Sequence, residues 1–195
     1  MSPEPTAPKL VLASASPRRK EILSSAGIAF TVRTAPVPEE HDGTEEPVEL
    51  VRRLAQCKAS AVARTGEEII LAADTVVVLG GLILGKPADA ADAVRMLSLL
   101  AGREHEVITG ICLKHGHRTI TDDERTRVRF AALSQEEIAA YVASGEPADK
   151  AGAYAIQGRA CRFVNRIEGC YYNVVGLPIA LVYKHLKALA PAGLI

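Results

Sequence analysis

One carboxylate stands alone inside an apolar run. Between Ile69 and Leu79 the only ionisable residue is Asp74, with Thr75 beside it. Burying a carboxylate is costly unless it is paired, hydrogen-bonded or metal-bound. Asp74 is therefore either a catalytic or metal-binding acid or a structurally satisfied one, and the run itself leaves both open. A second stretch, Ser14-Ala15-Ser16-Pro17-Arg18-Arg19, puts two hydroxyls and two guanidinium groups where a strand runs into a helix. Helix amino ends carry unsatisfied N–H groups and partial positive charge, so arginines there have the wrong sign for an empty helix. A docked anion, clamped by the guanidinium forks, resolves the conflict. The alternative is that Arg18 and Arg19 face solvent or pair with acids such as Glu21.

Lys58 follows Leu54 by four residues and Val51 by seven, so it projects from the apolar stripe of its helix. There it either snorkels to the edge or points into a cleft. Gly80–Lys86 reads GGLILGK, the spacing of a P-loop, but Pro87 stands where a magnesium-binding hydroxyl is needed. The P-loop reading is rejected, and Lys86 stays either a surface lysine or a site cation. The stretch 146–158, EPADKAGAYAIQG, is a long, glycine-punctuated loop of the kind that lines sites. Its Gln157 offers a donor and an acceptor suited to a base edge, or is a simple turn amide. His41, His105, His115, His117 and His185 form no metal spacing with the acids, and neither G-x-S-x-G nor H-E-x-x-H occurs.

These residues need elements to position them. Apolar runs predict strands at 9–13, 30–32, 69–79, 107–113, 126–133 and 163–167, and a hairpin through Gly80-Gly81 into LIL. Helices are expected at 17–26 behind Ser16 as N-cap, after a proline- and acid-rich loop over 34–47 as far as about Ala63, at 88–101, from a Ser134/Glu137 capping box to Ser144, and from Pro178 to about 188. Strands and helices mix without strict alternation, which predicts an α/β fold with a mixed sheet.

The chain has 195 residues, 48% hydrophobic and 24% charged, which suits one packed domain or one domain in two lobes. Lys plus Arg equals Asp plus Glu at 23 each, tryptophan is absent and aromatics are 4%, so nucleic acid is disfavoured as a partner. Cys57, Cys112, Cys161 and Cys170 are widely spaced without CxxC, the pattern of reduced structural thiols. Residues 1–8 are expected to form a disordered arm, with no apolar core of a signal peptide. No apolar run reaches the ~18 residues of a membrane span. A cytoplasmic protein without a membrane partner is the default expectation.

Five motifs together, LASASPRR (12–19), LAADTVV (71–77), GKP (85–87), EPADKAGAYAIQG (146–158) and GCYYNVVGLP (169–178), resemble the Maf family of nucleoside triphosphate pyrophosphatases, also called septum-formation inhibitor Maf. The resemblance runs from about residue 9 to 188 and defines a single Maf-like domain at 9–190. It implies an elongated mixed sheet flanked by helices, with a central active-site cleft, related to inosine triphosphate pyrophosphatases. It implies hydrolysis of a nucleoside triphosphate to the monophosphate and pyrophosphate with a divalent metal, Mg, Mn or Co. Position by position, it implies that Ser14, Arg18, Arg19, Lys58 and Lys86 hold phosphate. Asp74 is implied as proton acceptor and Glu39 as a metal-binding or catalytic group. Asp74 with Glu39 is the implied metal pair, and Asp74 stays either base or ligand. Arg18, Thr75 and Gln157 fall where substrate choice is set, and SPRR, ADT and AIQG are similar to the dTTP and UTP branch rather than the 7-methyl-GTP branch. Two departures stand out: Pro38 replaces the acid usual before Glu39, and Cys170 occupies a serine-like position. A homodimer is compatible with the resemblance. A nucleotide-binding regulator of cell division with little turnover is the alternative, against which the retained Asp74 and Glu39 weigh.

Overall fold

Two short apolar segments, Leu10–Leu12 and Phe30–Val32, form strands β1 and β2 on either side of helix α1 (Pro17–Ser25). The structure is a computed structural model that describes residues 9–38 and 44–189. The expected arm 1–8 and Glu39 lie outside the described residues. Helix α2 (Pro47–Ala61) leads into β3 (Ile69–Leu79), an eleven-residue strand buried everywhere except at Thr75. Its β-branched and aliphatic residues suit a strand covered on both faces. A two-residue turn at Gly80-Gly81 returns the chain as β4 (Leu82–Leu84), antiparallel to β3. Helix α3 (Ala90–Leu100), strands β5 (Glu104–His115) and β6 (Arg118–Phe130), helix α4 (Gln135–Val142), strand β7 (Val164–Glu168) and helices α5 (Tyr171–Val175) and α6 (Ile179–Leu189) complete the order. The seven-stranded mixed sheet runs β2-β1-β3-β5-β6-β7, with β4 paired to β3. No described helix is long and apolar enough to cross a membrane.

Several expected bounds are corrected. Strand β5 extends past the apolar run at 107–113 on both sides, and β6 begins eight residues before the expected 126–133 and ends three before its close, because the polar ends at 104–106 and 118–125 continue the sheet's hydrogen bonding. Three short 3-10 turns, Glu146–Asp149, Ala151–Ala153 and Arg159–Phe163, occupy the region expected as plain loop and the start of the next strand. The five-residue α5 has no sequence signal, being too short for helical periodicity.

Internal contacts divide the chain into two units. One holds the residues up to Asp74, Thr109–Glu124 and those from Gly176 on; the other holds Thr75–Ile108 and Arg125–Val175. In the first unit, Ala55, Ala59 and Val62 pack against Val11 and Ala13 of the β1 segment, Ile70 and Ala72 of β3, and Cys112 of β5. Small side chains on both layers bring α2 close to the sheet. Gly110 on β5 completes this approach: a Cβ there would sit 2.5 Å from the Val51 carbonyl carbon. Arg33 and Glu68 join the end of β2 to the entry of β3 through a two-pronged ion pair at 2.9 and 3.0 Å. The Arg33 hydrogen bond holds the Glu68 carboxyl down at about 2.

The second unit is built around rings. Four of the chain's eight Phe and Tyr residues gather there in one cluster with His105, which touches two of them, Phe130 and Tyr154. Phe130 lies edge-on to His105 at 5.0 Å and to Tyr154 at 4.8 Å, and Tyr141 lies edge-on to Phe163 at 5.3 Å. Helix α4 opens with the expected capping box, Ser134 Oγ accepting from Glu137 N–H and the Glu137 carboxylate from Ser134 N–H.

Candidate active site

Strand β1 is parallel to both of its neighbours, with Leu12 beside Val32 of β2 and Leu71 of β3. The chain leaves β1 toward β2 on one side and later fills β3 on the other. Such a reversal opens a crevice beyond the carboxyl end of β1, the general binding position in open α/β sheets. The segment leaving β1 there is Ser14–Arg19, and Ala13 N–H still donates to Leu71 O at 2.7 Å. Asp74 lies three residues past Leu71, at the middle of β3 and just beyond the stretch that pairs with β1.

The two periodicities of strand and helix dictate the partner of Asp74. On β3 Ile70 and Ala72 face α2, and the next residue on that face is Asp74. On α2 Ala55 and Ala59 face the sheet, and Lys58 shares their stripe. Lys58 Nζ donates to Asp74 Oδ1 at 2.5 Å, both side chains being mostly covered, at 16% and 12% exposure. Lys58 therefore points inward to the carboxylate rather than snorkelling outward, and the lone acid of the apolar strand is a paired one.

Ser16 takes the N-cap position of α1 but its side chain makes no capping bond, and the first turn holds no acid. Ser14, almost fully buried, does that local work instead: its Oγ accepts from Ser16 N–H at 3.3 Å and from Arg19 Nη1 at 3.1 Å. Arg19 Nε donates to the Gly176 carbonyl at 2.8 Å. Its guanidinium is thus aimed by two fixed acceptors at the start of a helix whose terminus favours anions. Arg18, the neighbouring first-turn cation, is half-buried. The Gly176 carbonyl has no side-chain signature, although GLP at 176–178 was a visible motif.

Thr75, Lys86 and Gln157 belong to the second unit. Thr75 follows Asp74 on the opposite face of β3 and is half-buried. Lys86 is exposed, two residues after β4. The strand geometry of Leu82–Leu84 bears out the rejection of a P-loop at GGLILGK. Gln157 is exposed and rides on a turn closed by Gly158 N–H donating to Ala155 O at 3.0 Å. Tyr154, just before that turn, is buried, and its hydroxyl meets His105 Nε2 at 2.9 Å. Burial pushes the His105 imidazole down to about 4 and raises the Tyr154 phenol far above its ordinary value. The four cysteines are free, as their spacing suggested.

The sequence profile described as Maf-like protein matches residues 9–189, nearly the whole chain. The chain belongs to the Maf family. A Koribacter versatilis relative named dTTP/UTP pyrophosphatase is 52% identical over 179 residues, covering 91% of this chain and 93% of its own. A Symbiobacterium thermophilum relative of the same name is 53% identical over 172 residues, covering 88% of this chain and 89% of its own. Among solved structures, the Staphylococcus aureus Ham1 protein superposes with a TM-score of 0.50 at 14% identity, covering 92% of this chain and 98% of that one. That likeness concerns the fold alone, and it agrees with the mixed sheet of this Maf chain.

Proposed function

We propose that this chain hydrolyses dTTP and UTP to the nucleoside monophosphate and pyrophosphate. The reading is supported by the shared name of relatives at about half identity over nine-tenths of the chain. The observation that carries it is the Lys58–Asp74 pair at the middle of β3, just past the stretch of that strand that pairs with β1, whose following segment aims Arg19. Water attacks the α-phosphorus, its oxygen forming the new P–O bond while the bridging P–O bond breaks. Pyrophosphate leaves with the electron pair. Asp74 orients this water and accepts its proton or passes it on, and Lys58 fixes the carboxylate through Oδ1. Arg18, Arg19, Lys58 and Lys86, with the Ser14 hydroxyl, balance the charge on the phosphate chain as it separates. Thr75, Arg18 and Gln157 select the base.

A divalent cation, Mg, Mn or Co, fits this donor set. Among the described residues no three His, Cys, Asp or Glu side chains gather to hold a metal. A hard cation of the Mg²⁺ kind needs only one or two carboxylates when phosphate oxygens and waters fill its other positions. Asp74, with Glu39, would hold it, and it would polarise phosphoryl oxygens as a Lewis acid. The test is pyrophosphate release from dTTP, UTP, CTP and 7-methyl-GTP with Mg²⁺ or Mn²⁺. Pyrophosphate from dTTP and UTP is expected. Nucleotide binding without turnover, or preference for 7-methyl-GTP, would overturn the reading.

A further inference from the structure

We propose that Glu146 and Tyr141 are positioning residues for base selection, gripping the Ala155–Gly158 turn at both ends so that Gln157 presents its amide in a fixed direction. The proposal rests on Gln157 being a base-reading residue, as in the function proposed above. All the groups involved lie in the second unit.

The grip is a short closed chain of hydrogen bonds. Tyr141, fully buried on α4, donates its hydroxyl hydrogen to Glu146 Oε1 at 2.8 Å. The same hydroxyl oxygen accepts from Ala155 N–H at 3.1 Å, two residues before Gln157. Glu146 Oε2 accepts from Arg159 N–H at 3.1 Å, two residues after Gln157. Gln157 therefore sits midway between two backbone donors held by one phenol–carboxylate unit. Gly158 makes the arrangement fit: a Cβ there would lie 2.2 Å from Glu146 Oε1. Tyr154, the residue before Ala155, is itself tethered to His105.

The chemistry of the unit suits a permanent clamp. Burial, with the adjacent Glu146 carboxylate adding to it, raises the Tyr141 phenol well above its ordinary value, so it stays a donor throughout the working pH range. The Arg159 N–H goes to the Glu146 carboxylate and the Ala155 N–H to a hydroxyl polarised by its own donation to that carboxylate, so the two bonds reinforce each other. Exposed amide side chains read a base edge well only when their backbone is fixed, because a small misplacement spoils directional bonds. Sequence gives no direct sign of this, since Glu146 reads as part of a plain loop and Tyr141 belongs to no motif.

The experiment is a selectivity cycle: kcat/KM for UTP and CTP in wild type, Glu146→Gln, Tyr141→Phe, Gln157→Ala and the Glu146→Gln/Gln157→Ala double variant. A ratio of the two substrates is independent of the active fraction, so partial unfolding of a variant leaves the readout intact. The UTP/CTP ratio should fall about tenfold in each single variant, with the loss weighted toward KM for UTP, and the double variant should lose no more than Gln157→Ala alone. If Gln157→Ala lowers the ratio while Glu146→Gln and Tyr141→Phe keep the wild-type value, or if the two losses multiply in the double variant, the clamp is refuted and the base-reading role of Gln157 stands. If Gln157→Ala itself keeps the wild-type ratio, the base-reading role fails and the clamp falls with it.

Discussion

Asp74 is held by one ammonium group at 2.5 Å, on a strand face it shares with Ile70 and Ala72. Gln157 rides on a turn whose backbone is gripped through Ala155 and Arg159 by Tyr141 and Glu146. The first arrangement works through charge and long side chains on a packed sheet–helix layer. The second works through directed hydrogen bonds to main chain. The difference follows the task each region would perform. Coulomb attraction falls slowly with distance, so cations serve a flexible, highly charged phosphate chain even when their heads move somewhat. Reading a base edge needs angles as well as distances, so the reader's backbone must be fixed.

Four substitutions test whether the two regions divide the work in this way. Asp74→Asn should lower kcat by about a hundredfold or more, since the amide neither accepts a proton nor binds a metal well. The check is steady-state kinetics on UTP together with circular dichroism, and near wild-type turnover in the folded variant would remove Asp74 from the mechanism. Arg19→Lys comes next. One ammonium cannot span the Ser14 Oγ and Gly176 carbonyl acceptors that now aim the guanidinium, so kcat/KM should fall roughly ten- to a hundredfold. The loss should be similar for dTTP, UTP and CTP, because a phosphate contact carries no base information.

Gln157→Ala should do the reverse, lowering the UTP/CTP ratio about tenfold and the rate on UTP by less. Uracil and thymine present acceptor–donor–acceptor edges, and cytosine does not. Equal losses on all pyrimidines would erase the contrast between the two regions. The smallest effect concerns His105. Its folded value of about 4 lies below the ordinary 6.5, so between these values the unfolded chain binds more protons than the folded one. Protonation would also put a second N–H on a buried ring whose Nδ1 has no acceptor. This contribution to stability is therefore complete above pH 6.5 and is lost as pH falls toward 4. Between pH 7.5 and 5.5 it amounts to about 1 kcal/mol. Urea denaturation across that range should show the loss in wild type and a shallower profile in His105→Gln.

The legible part of the fold was the part written in local chemistry. Ile69–Leu79 reads as a strand from its β-branched run, and the Ser134/Glu137 box marks the start of α4 because both capping partners lie within one turn. Strand β6 was less legible, since Arg118–Arg125 is polar and becomes strand only by pairing within the sheet. Lys58 shows the same limit in the site. Its place on the apolar stripe was visible, but the two readings of that place were separated only by the carboxylate that packing set across from it.

The sequence by itself determined the cation-rich start of α1, the solitary acid of β3 and the family motifs, because each depends on residues close together in the chain. Tertiary structure decided that Lys58 and Asp74 form a pair, that Ser14 and the Gly176 carbonyl aim Arg19, and that Tyr141 and Glu146 hold the turn of Gln157. Arg19 and Gly176 are 157 positions apart, and a main-chain carbonyl is the same in every residue. Such contacts leave no mark in local composition or periodicity; they exist only once the sheet register and the helix packing bring distant segments within hydrogen-bonding distance.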